Sequence, residues 1–178
     1  MRRAVEADPL AVQKRLQIAL ILSMTGRTQE AEREFHHAVE LDENSFHGWM
    51  GLGDLHFARG EISEAIRCFE KASSLAPFVP RYAACLAGLL ARTGHERRAE
   101  ELLAKLGPPE TYGVPLAWAL FHLFRGETEK AVDWWEKAID QRDSNAVIWP
   151  RFNAGEALRK SLRWPALAKR MNLPESAW

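Results

Sequence analysis

Apolar residues recur at steps of three and four along most of this chain, with charged residues between them. That spacing is the period of an amphipathic α-helix, in which one stripe of side chains faces a core. Glycines interrupt the pattern at regular places, so the helices are predicted to come in pairs joined by a tight turn. In residues 46–79, Trp49 and Leu52 lie in the first predicted helix, Phe69 lies in the second, and Pro77 ends the pair.

The interruptions have a nearly fixed period. Gly26, Gly60 and Gly94 are evenly spaced, and Gly126 follows at almost the same interval. Five residues after each glycine stands an alanine, and nine residues after it stands a large apolar residue: Ala31, Ala65, Ala99 and Ala131, then Phe35, Phe69, Leu103 and Trp135. Self-similarity with a period of about 34 residues predicts an array of helical hairpins. The alanines let helices approach, the large residues fill the space between hairpins, and each glycine takes a left-handed conformation after the first helix.

The recurring residues resemble the tetratricopeptide repeat (TPR) family over roughly residues 12–143, and residues 46–79 match best. The resemblance implies an all-α fold, a right-handed superhelix of helical hairpins with capping helices at its carboxy-terminal end. We therefore predict one TPR domain over residues 1–178. Its parts are a partial repeat at 1–11, repeats at 12–45, 46–79, 80–111 and 112–143, and a cap at 144–178.

Both ends of the chain extend this interpretation. Ala4 and Asp8 lie one repeat period before Ala38 and Asp42, so we expect the chain to begin inside the last helix of an earlier repeat and to be the carboxy-terminal piece of a longer protein. Residues 158–174 resemble the segment that closes TPR arrays of bacterial signalling proteins such as nucleotide cyclases and serine/threonine kinases. This resemblance implies a signalling parent protein in a bacterium.

The closing segment is basic and amphipathic, which is compatible with contact to nucleic acid or a membrane surface. A capping role is favoured, because terminal repeats need a polar outer face. Arg159, Lys160, Arg163, Lys169 and Arg170 are then expected to pair with acidic residues of the fourth repeat, namely Glu127, Glu129, Asp133, Glu136 and Asp140.

The composition argues against two classes of partner, nucleic acid and acidic membranes. The 24 Lys and Arg residues equal the 24 Asp and Glu residues, so there is no net attraction to nucleic acid or to an acidic membrane. No apolar run approaches the roughly 18 residues that a membrane span needs. Cys68 and Cys85 have no metal-binding or redox spacing and are expected to be buried, reduced thiols in a cytoplasmic protein.

The search for catalytic chemistry finds no organised site. Gly48, Gly51 and Gly53 lie within a helical pattern with no preceding strand, so close helix packing explains them better than phosphate binding. The histidines form no metal-binding motif with carboxylates, and His56 and His122 are expected to be packed or half-buried. We predict no enzyme activity, no cofactor and no metal site.

The family resemblance implies that the first helix of each hairpin lines a concave groove. The predicted lining residues are Leu16, Leu20, Met24, His47, Met50, Asp54, Phe57, Arg81, Arg92, Leu116, Leu120 and Leu123. This face is apolar apart from Asp54 and the two arginines. An amphipathic helix or extended segment of a partner protein is expected to bind there, anchored by Leu16, Met50, Phe57 and Leu120.

Two alternatives stay open for these residues. The chain itself or a second copy could cover the groove, because large exposed apolar patches are uncommon on monomers. The residues could instead serve ordinary packing between hairpins. The predicted function is a non-catalytic protein–protein interaction module, an adaptor or regulatory scaffold. The alternative function is self-association, or a spacer domain of a larger bacterial signalling protein.

Overall fold

The computed structural model describes residues 9–174, and all regular elements in this range are helical. The α-helices are α1 (Pro9–Met24), α2 (Thr28–Leu41), α3 (Phe46–Ala58), α4 (Ile62–Leu75), α5 (Pro80–Arg92), α6 (Glu96–Leu103), α7 (Val114–Arg125), α8 (Thr128–Asp140), α9 (Ser144–Ile148), α10 (Glu156–Arg159) and α11 (Trp164–Arg170). A 3-10 turn, Trp149–Arg151, follows α9. The prediction of an all-α fold is confirmed. The expected end of an earlier repeat, with Ala4 and Asp8, lies outside the described residues.

The chain divides into two compact units, residues 1–76 and 77–178. In unit 1, α1 packs against α2, α3 packs against α4, and α2 also contacts α3. In unit 2, α5 packs against α6 and α7, and α7 packs against α8. Each unit therefore consists of consecutive helical hairpins, as the period of the sequence predicts.

The four periodic glycines end the first helix of each hairpin. Their φ angles are +77° at Gly26, +76° at Gly60, +84° at Gly94 and +92° at Gly126. A side chain in this left-handed region is strained, whereas glycine adopts it freely. The prediction of a left-handed turn at each of these glycines is confirmed.

The core of unit 1 joins four helices. One buried cluster contains Val12, Leu16, Ala19 and Leu22 of α1, Ala31, Phe35, Ala38 and Val39 of α2, Leu52 and Leu55 of α3, and Cys68 of α4. A Cβ added to Gly48 would lie 2.6 Å from Val39 Cγ1, and one added to Gly51 would lie 2.3 Å from the Phe35 ring. The glycine cluster of α3 therefore permits close packing against α2, which confirms the packing interpretation of these glycines.

In unit 2, α6 is short. It has eight residues and ends at Leu103, four residues before the Gly107-Pro108-Pro109 segment, whose prolines cannot continue a helix. The stretch between α6 and α7 is irregular, and Gln141 at the end of α8 holds it in place through hydrogen bonds. Its Nε2 donates a hydrogen bond to the Glu110 carbonyl oxygen at 3.0 Å, and its Oε1 accepts one from the Gly113 amide at 3.3 Å.

The carboxy-terminal segment packs on the fourth hairpin through apolar and charged contacts. Leu158, Trp164 and Leu167 are buried. Arg163 binds Asp133 Oδ1 at 2.6 Å and Glu136 Oε1 at 2.7 Å.

The ion pairs of this segment follow the predicted pattern only in part. Lys160 was predicted to pair with the fourth repeat, which is wrong, because it pairs with Glu156 one helical turn before it, at 2.6 Å. Arg163 also lies 3.9 Å from Glu129 Oε2, and Arg170 pairs with Asp140, so the predicted acidic partners are confirmed at these positions. Pairing was also predicted for Glu127, and that part is wrong. Glu127 binds His122 and Lys130 of its own hairpin, because it lies at the turn between α7 and α8.

A two-pronged ion pair joins the first two hairpins of unit 1. Arg59 Nη1 and Nη2 donate to Glu32 Oε1 and Oε2 at 2.8 and 2.7 Å. These hydrogen bonds lower the pKa of the Glu32 carboxyl, outweighing the burial that raises it. A carboxyl whose pKa is depressed by folding stabilises the folded state above its unfolded pKa, about 4.3, and loses that contribution as the pH falls through the folded pKa.

Glu32→Gln is therefore expected to lower the free energy of unfolding by about 1 kcal/mol at neutral pH, since water partly screens the pair. The loss should shrink as the pH falls through the depressed folded pKa, because protonation of the Glu32 carboxyl removes the ion pair from the native protein too. Urea unfolding over a series of pH values from neutral to acid measures it. Glu40→Gln, at an exposed position of the same helix, is the control. Equal losses in the two variants at neutral pH would contradict the role assigned to Glu32.

Candidate protein-binding surface

The predicted groove residues fall into two sets in the structure. Leu16, Met50, Asp54, Leu116, Leu120 and Leu123 are buried. Leu20, Met24, Phe57 and Arg81 are half-buried, and His47 and Arg92 are exposed. Only the second set is accessible to a partner without a change in packing.

Three of the four expected anchors belong to the buried set. Leu16 lies in the core cluster of unit 1, Met50 is 5% exposed, and Leu120 is fully buried. Their side chains serve packing, as one alternative expected, and are not available for direct contact. Phe57 is the expected anchor that keeps accessible surface. Partner binding by the groove stays a prediction.

In unit 2, the nominated leucines of α7 lie in a closely packed region. A Cβ added to Gly88 of α5 would lie 2.5 Å from the Phe121 carbonyl oxygen, so α5 and α7 are in very close contact. At the end of α7, the Phe124 ring packs edge to face on Trp149, with 6.5 Å between ring centroids. Part of this helix is thus covered by the chain's own carboxy-terminal segment, in line with the self-cover alternative.

In unit 1, accessible side chains from two neighbouring helices remain. Helical spacing places Gln13, Leu20 and Met24 on one face of α1, and His47 and Phe57 on the corresponding face of α3. We call these five residues the α1–α3 face. Leu20 packs against the core cluster, and the His47 ring lies 4.3 Å from the Phe46 ring. The face combines three half-buried apolar side chains with an exposed amide and an exposed imidazole, which suits apolar anchors with polar contacts beside them.

The two histidines at equivalent hairpin positions have structural roles. His56 Nδ1 lies 2.5 Å from Glu61 Oε2, and His122 Nδ1 lies 2.7 Å from Glu127 Oε2. Both imidazoles are half-buried, as predicted. The bond from His122, followed by that from Lys130, lowers the pKa of the Glu127 carboxyl. Each pair links the end of a first helix to the turn of its hairpin.

Cysteines, histidines and acidic residues are the first candidates for catalysis or metal binding in residues 9–174. Burial raises the pKa of the Cys68 thiol to about 11, so the thiol stays protonated and unreactive near neutral pH. Among the described histidines, cysteines and acidic residues, no group of three or more is arranged to hold a metal ion. None of the described helices has both the length and the apolar character to cross a membrane.

Sequence reasoning missed one aromatic cluster in unit 2. The rings of Trp118 and Trp134 stack with 5.7 Å between centroids, and the Lys137 ammonium lies 3.8 Å above the Trp134 ring. Both tryptophans are half-buried. They come from different helices of one hairpin, so the cluster becomes visible only when the structure shows how α7 packs against α8.

Comparison with known proteins identifies the repeats. Residues 22–88 match the family model described as tetratricopeptide repeat. The helical hairpins within residues 22–88 are identified as tetratricopeptide repeats. The chain is also similar to named relatives: it is 34% identical over 80 residues to human Tetratricopeptide repeat protein 7B and 32% identical over 80 residues to the mouse protein. Each of these alignments covers 43% of this chain and 10% of the relative.

A bacterial relative aligns over more of the chain. TPR repeat-containing protein YpiA of Bacillus subtilis (strain 168) is 26% identical over 153 residues, which cover 85% of this chain and 29% of YpiA. The aligned region is less than a third of each of these relatives. TPR repeats are generally protein–protein interaction modules, and proteins built from them are generally scaffolds without catalysis.

Proposed function

We propose that this TPR chain is a non-catalytic adaptor or regulatory module that binds a segment of a partner protein over the α1–α3 face. The observation that carries the proposal is the half-burial of Leu20, Met24 and Phe57 on two neighbouring helices of unit 1. Leu20 packs against the buried core of unit 1, and all three side chains keep accessible apolar surface. Such positions are suited to anchoring a ligand with little loss of conformational entropy.

The chemistry of the face defines the kind of segment. Its apolar side chains suit an amphipathic helix with apolar residues at steps of three and four, or an extended segment with apolar anchors. Gln13 and His47 offer hydrogen bonds beside the apolar centre. With a formal net charge of zero, the chain gives no electrostatic reason to favour nucleic acid or an anionic membrane over a protein.

Met24→Glu and Phe57→Glu test the proposal without removing a core side chain. Each places a charge at a half-buried apolar position, so partner affinity should fall at least about tenfold while helicity measured by circular dichroism is kept. The assay is capture of partners from an extract of the source organism, followed by titration of the captured protein. Leu41→Glu, an exposed apolar position of α2, is the matched control. Equal loss with the control, or unchanged capture with both α1–α3 variants, would contradict the proposal.

We also propose a setting for this activity. The resemblance of residues 158–174 to segments that close bacterial signalling arrays supports a regulatory role beside a signalling domain in the cytoplasm. The buried free thiols of Cys68 and Cys85 are compatible with a reducing compartment.

Self-association would show as a mass that rises with concentration in analytical ultracentrifugation. A constant monomer mass would favour the adaptor over the self-associating alternative.

A further inference from the structure

One hydroxyl lies among basic residues in an irregular part of the carboxy-terminal segment. Ser161 stands in residues 160–163, between α10 and α11, where the chain is not helical. Arg159 and Lys160 come directly before it, and Arg163 follows two positions later. In the described part of the chain, no other serine, threonine or tyrosine has three lysine or arginine residues within two positions. The charge surroundings of Ser161 therefore set it apart from the other hydroxyls.

The turn that holds Ser161 is open to solvent. Leu162 is 99% exposed. The Lys160 ammonium lies 2.6 Å from Glu156 Oε1, and the Lys160 side chain is 74% exposed. Ser161 itself is half-buried. A modifying enzyme has to bind residues on both sides of its target, and an exposed turn permits this more easily than the interior of a helix.

The Ser161 hydroxyl is also a contact between the segment and α8. Its Oγ donates a hydrogen bond to Glu129 Oε1 at 3.0 Å and accepts one from the Arg163 amide at 3.2 Å. The Arg163 guanidinium lies close by, with Nη1 2.6 Å from Asp133 Oδ1 and 3.9 Å from Glu129 Oε2. A change of charge at Ser161 Oγ therefore acts directly on the contacts that hold the start of α11 on α8.

We propose that Ser161 is a phosphorylation site for a serine/threonine kinase that selects basic sequences and uses ATP, and that phosphorylation loosens α11 from α8. Charge patterns guide the choice of substrates by kinases, so a kinase with an acidic substrate groove suits this segment. Lys160 is the most exposed of the three cations and is the best placed to contact such a groove. The proposal is independent of partner binding over the α1–α3 face, which lies in unit 1.

The chemical step is a phosphoryl transfer to the Ser161 hydroxyl. Its Oγ attacks the γ-phosphorus of ATP, and the Oγ–P bond forms while the bond from this phosphorus to the bridging oxygen of ADP breaks. The hydroxyl proton passes to the catalytic base of the kinase, and ADP leaves.

A phosphoryl group reverses the charge balance at this contact. It carries about −1.5 to −2 charges at pH 7 and replaces the hydroxyl hydrogen that is donated to Glu129. Repulsion between like charges takes the place of that hydrogen bond. The phosphoryl oxygens also compete with Asp133 and Glu136 for the Arg163 guanidinium, since arginine pairs well with phosphate. These contacts are exposed, so we expect a local loosening of α11 rather than loss of the fold.

The first experiment determines whether Ser161 is modified. The full chain is incubated with ATP in an extract of the source organism, and phosphorylated positions are identified by mass spectrometry. Phosphate is expected at Ser161 and not at Ser144, an exposed serine of the same unit that follows Asp143. Lys160→Gln should lower the extent of phosphorylation at least about threefold. An unmodified Ser161, in an extract that phosphorylates a basic reference peptide, would overturn the proposal.

The second experiment measures what the modification does. A chain with phosphoserine incorporated at position 161 is compared with the natural chain and with Ser161→Ala by hydrogen exchange. The amides of Leu167 and Met171, which are hydrogen-bonded along α11, should exchange about tenfold faster in the phosphorylated chain, with unit 1 unchanged. Ser161→Ala adds no charge and should have a smaller effect. Unchanged or slower exchange in α11 of the phosphorylated chain would overturn the proposal, because Lys160 and Arg163 would then hold the phosphoryl group in place.

Discussion

Gly88→Ala is expected to lower the free energy of unfolding by about 2–3 kcal/mol, although alanine is the better helix former. An added Cβ would lie 2.5 Å from the Phe121 carbonyl oxygen and 3.1 Å from the Arg125 amide nitrogen. Both atoms are backbone, so they can move only if α7 moves away from α5. Helix propensity alone would favour alanine by about 1 kcal/mol. Close packing of α5 against α7 is expected to be the larger effect.

Gly53→Ala is a second variant, and its loss of unfolding free energy is compared with that of Gly88→Ala. At Gly53 the nearest atoms to an added Cβ belong to the Phe69 ring, at 2.9 Å. A side-chain ring can shift more easily than a backbone, so the loss should be smaller than at Gly88. Urea unfolding of both variants gives the two free energies. If Gly88→Ala were neutral or stabilising, α5 and α7 would not be as close as the structure places them.

Deleting residues 160–178 is expected to cost about 4 kcal/mol of stability. The deletion removes Trp164 and Leu167, whose side chains are buried, and burial of each large apolar side chain contributes about 1.5–3 kcal/mol. It also exposes the apolar surface on which they pack. The melting temperature should fall markedly, as measured by circular dichroism or calorimetry.

The charged contacts of the same segment should matter much less. The Arg163 and Arg170 side chains are more than a third exposed, and exposed ion pairs contribute about 0–1 kcal/mol each. The double variant Arg163→Gln and Arg170→Gln is therefore the control and should lose about 1 kcal/mol. If it lost as much as the deletion, the segment would be held by charge. If the deletion had no effect, the segment would not be a stabilising cap.

Much of the fold was predictable because its determinants are local and repeated. A left-handed turn after a helix strongly favours glycine, so Gly26 and Gly60 mark the hairpin turns from the sequence alone. Close packing requires small residues, so the glycines of α3 indicate an interface. Complementary charges, such as Arg163 with Asp133, are visible because the segment is basic where the fourth repeat is acidic.

The accessible part of the candidate site was less predictable. Helical spacing gives the direction of a side chain but not the depth at which neighbouring helices bury it. Leu20 and Leu120 are at equivalent places in the pattern, yet Leu20 is half-buried and Leu120 is fully buried. That difference depends on packing between elements far apart in the sequence. Residues at equivalent repeat positions can therefore have different functions.

Site-specific photo-crosslinking tests most directly the claim that the α1–α3 face binds a partner segment. A benzophenone amino acid is placed at Phe57, with Leu41 of α2 as the control position, and crosslinked peptides from an extract of the source organism are sequenced by mass spectrometry. The account predicts crosslinks from position 57 to one partner segment with apolar residues at helical spacing or in an extended run, and none to that segment from position 41. Equal labelling from both positions, or no crosslink at position 57, would contradict it.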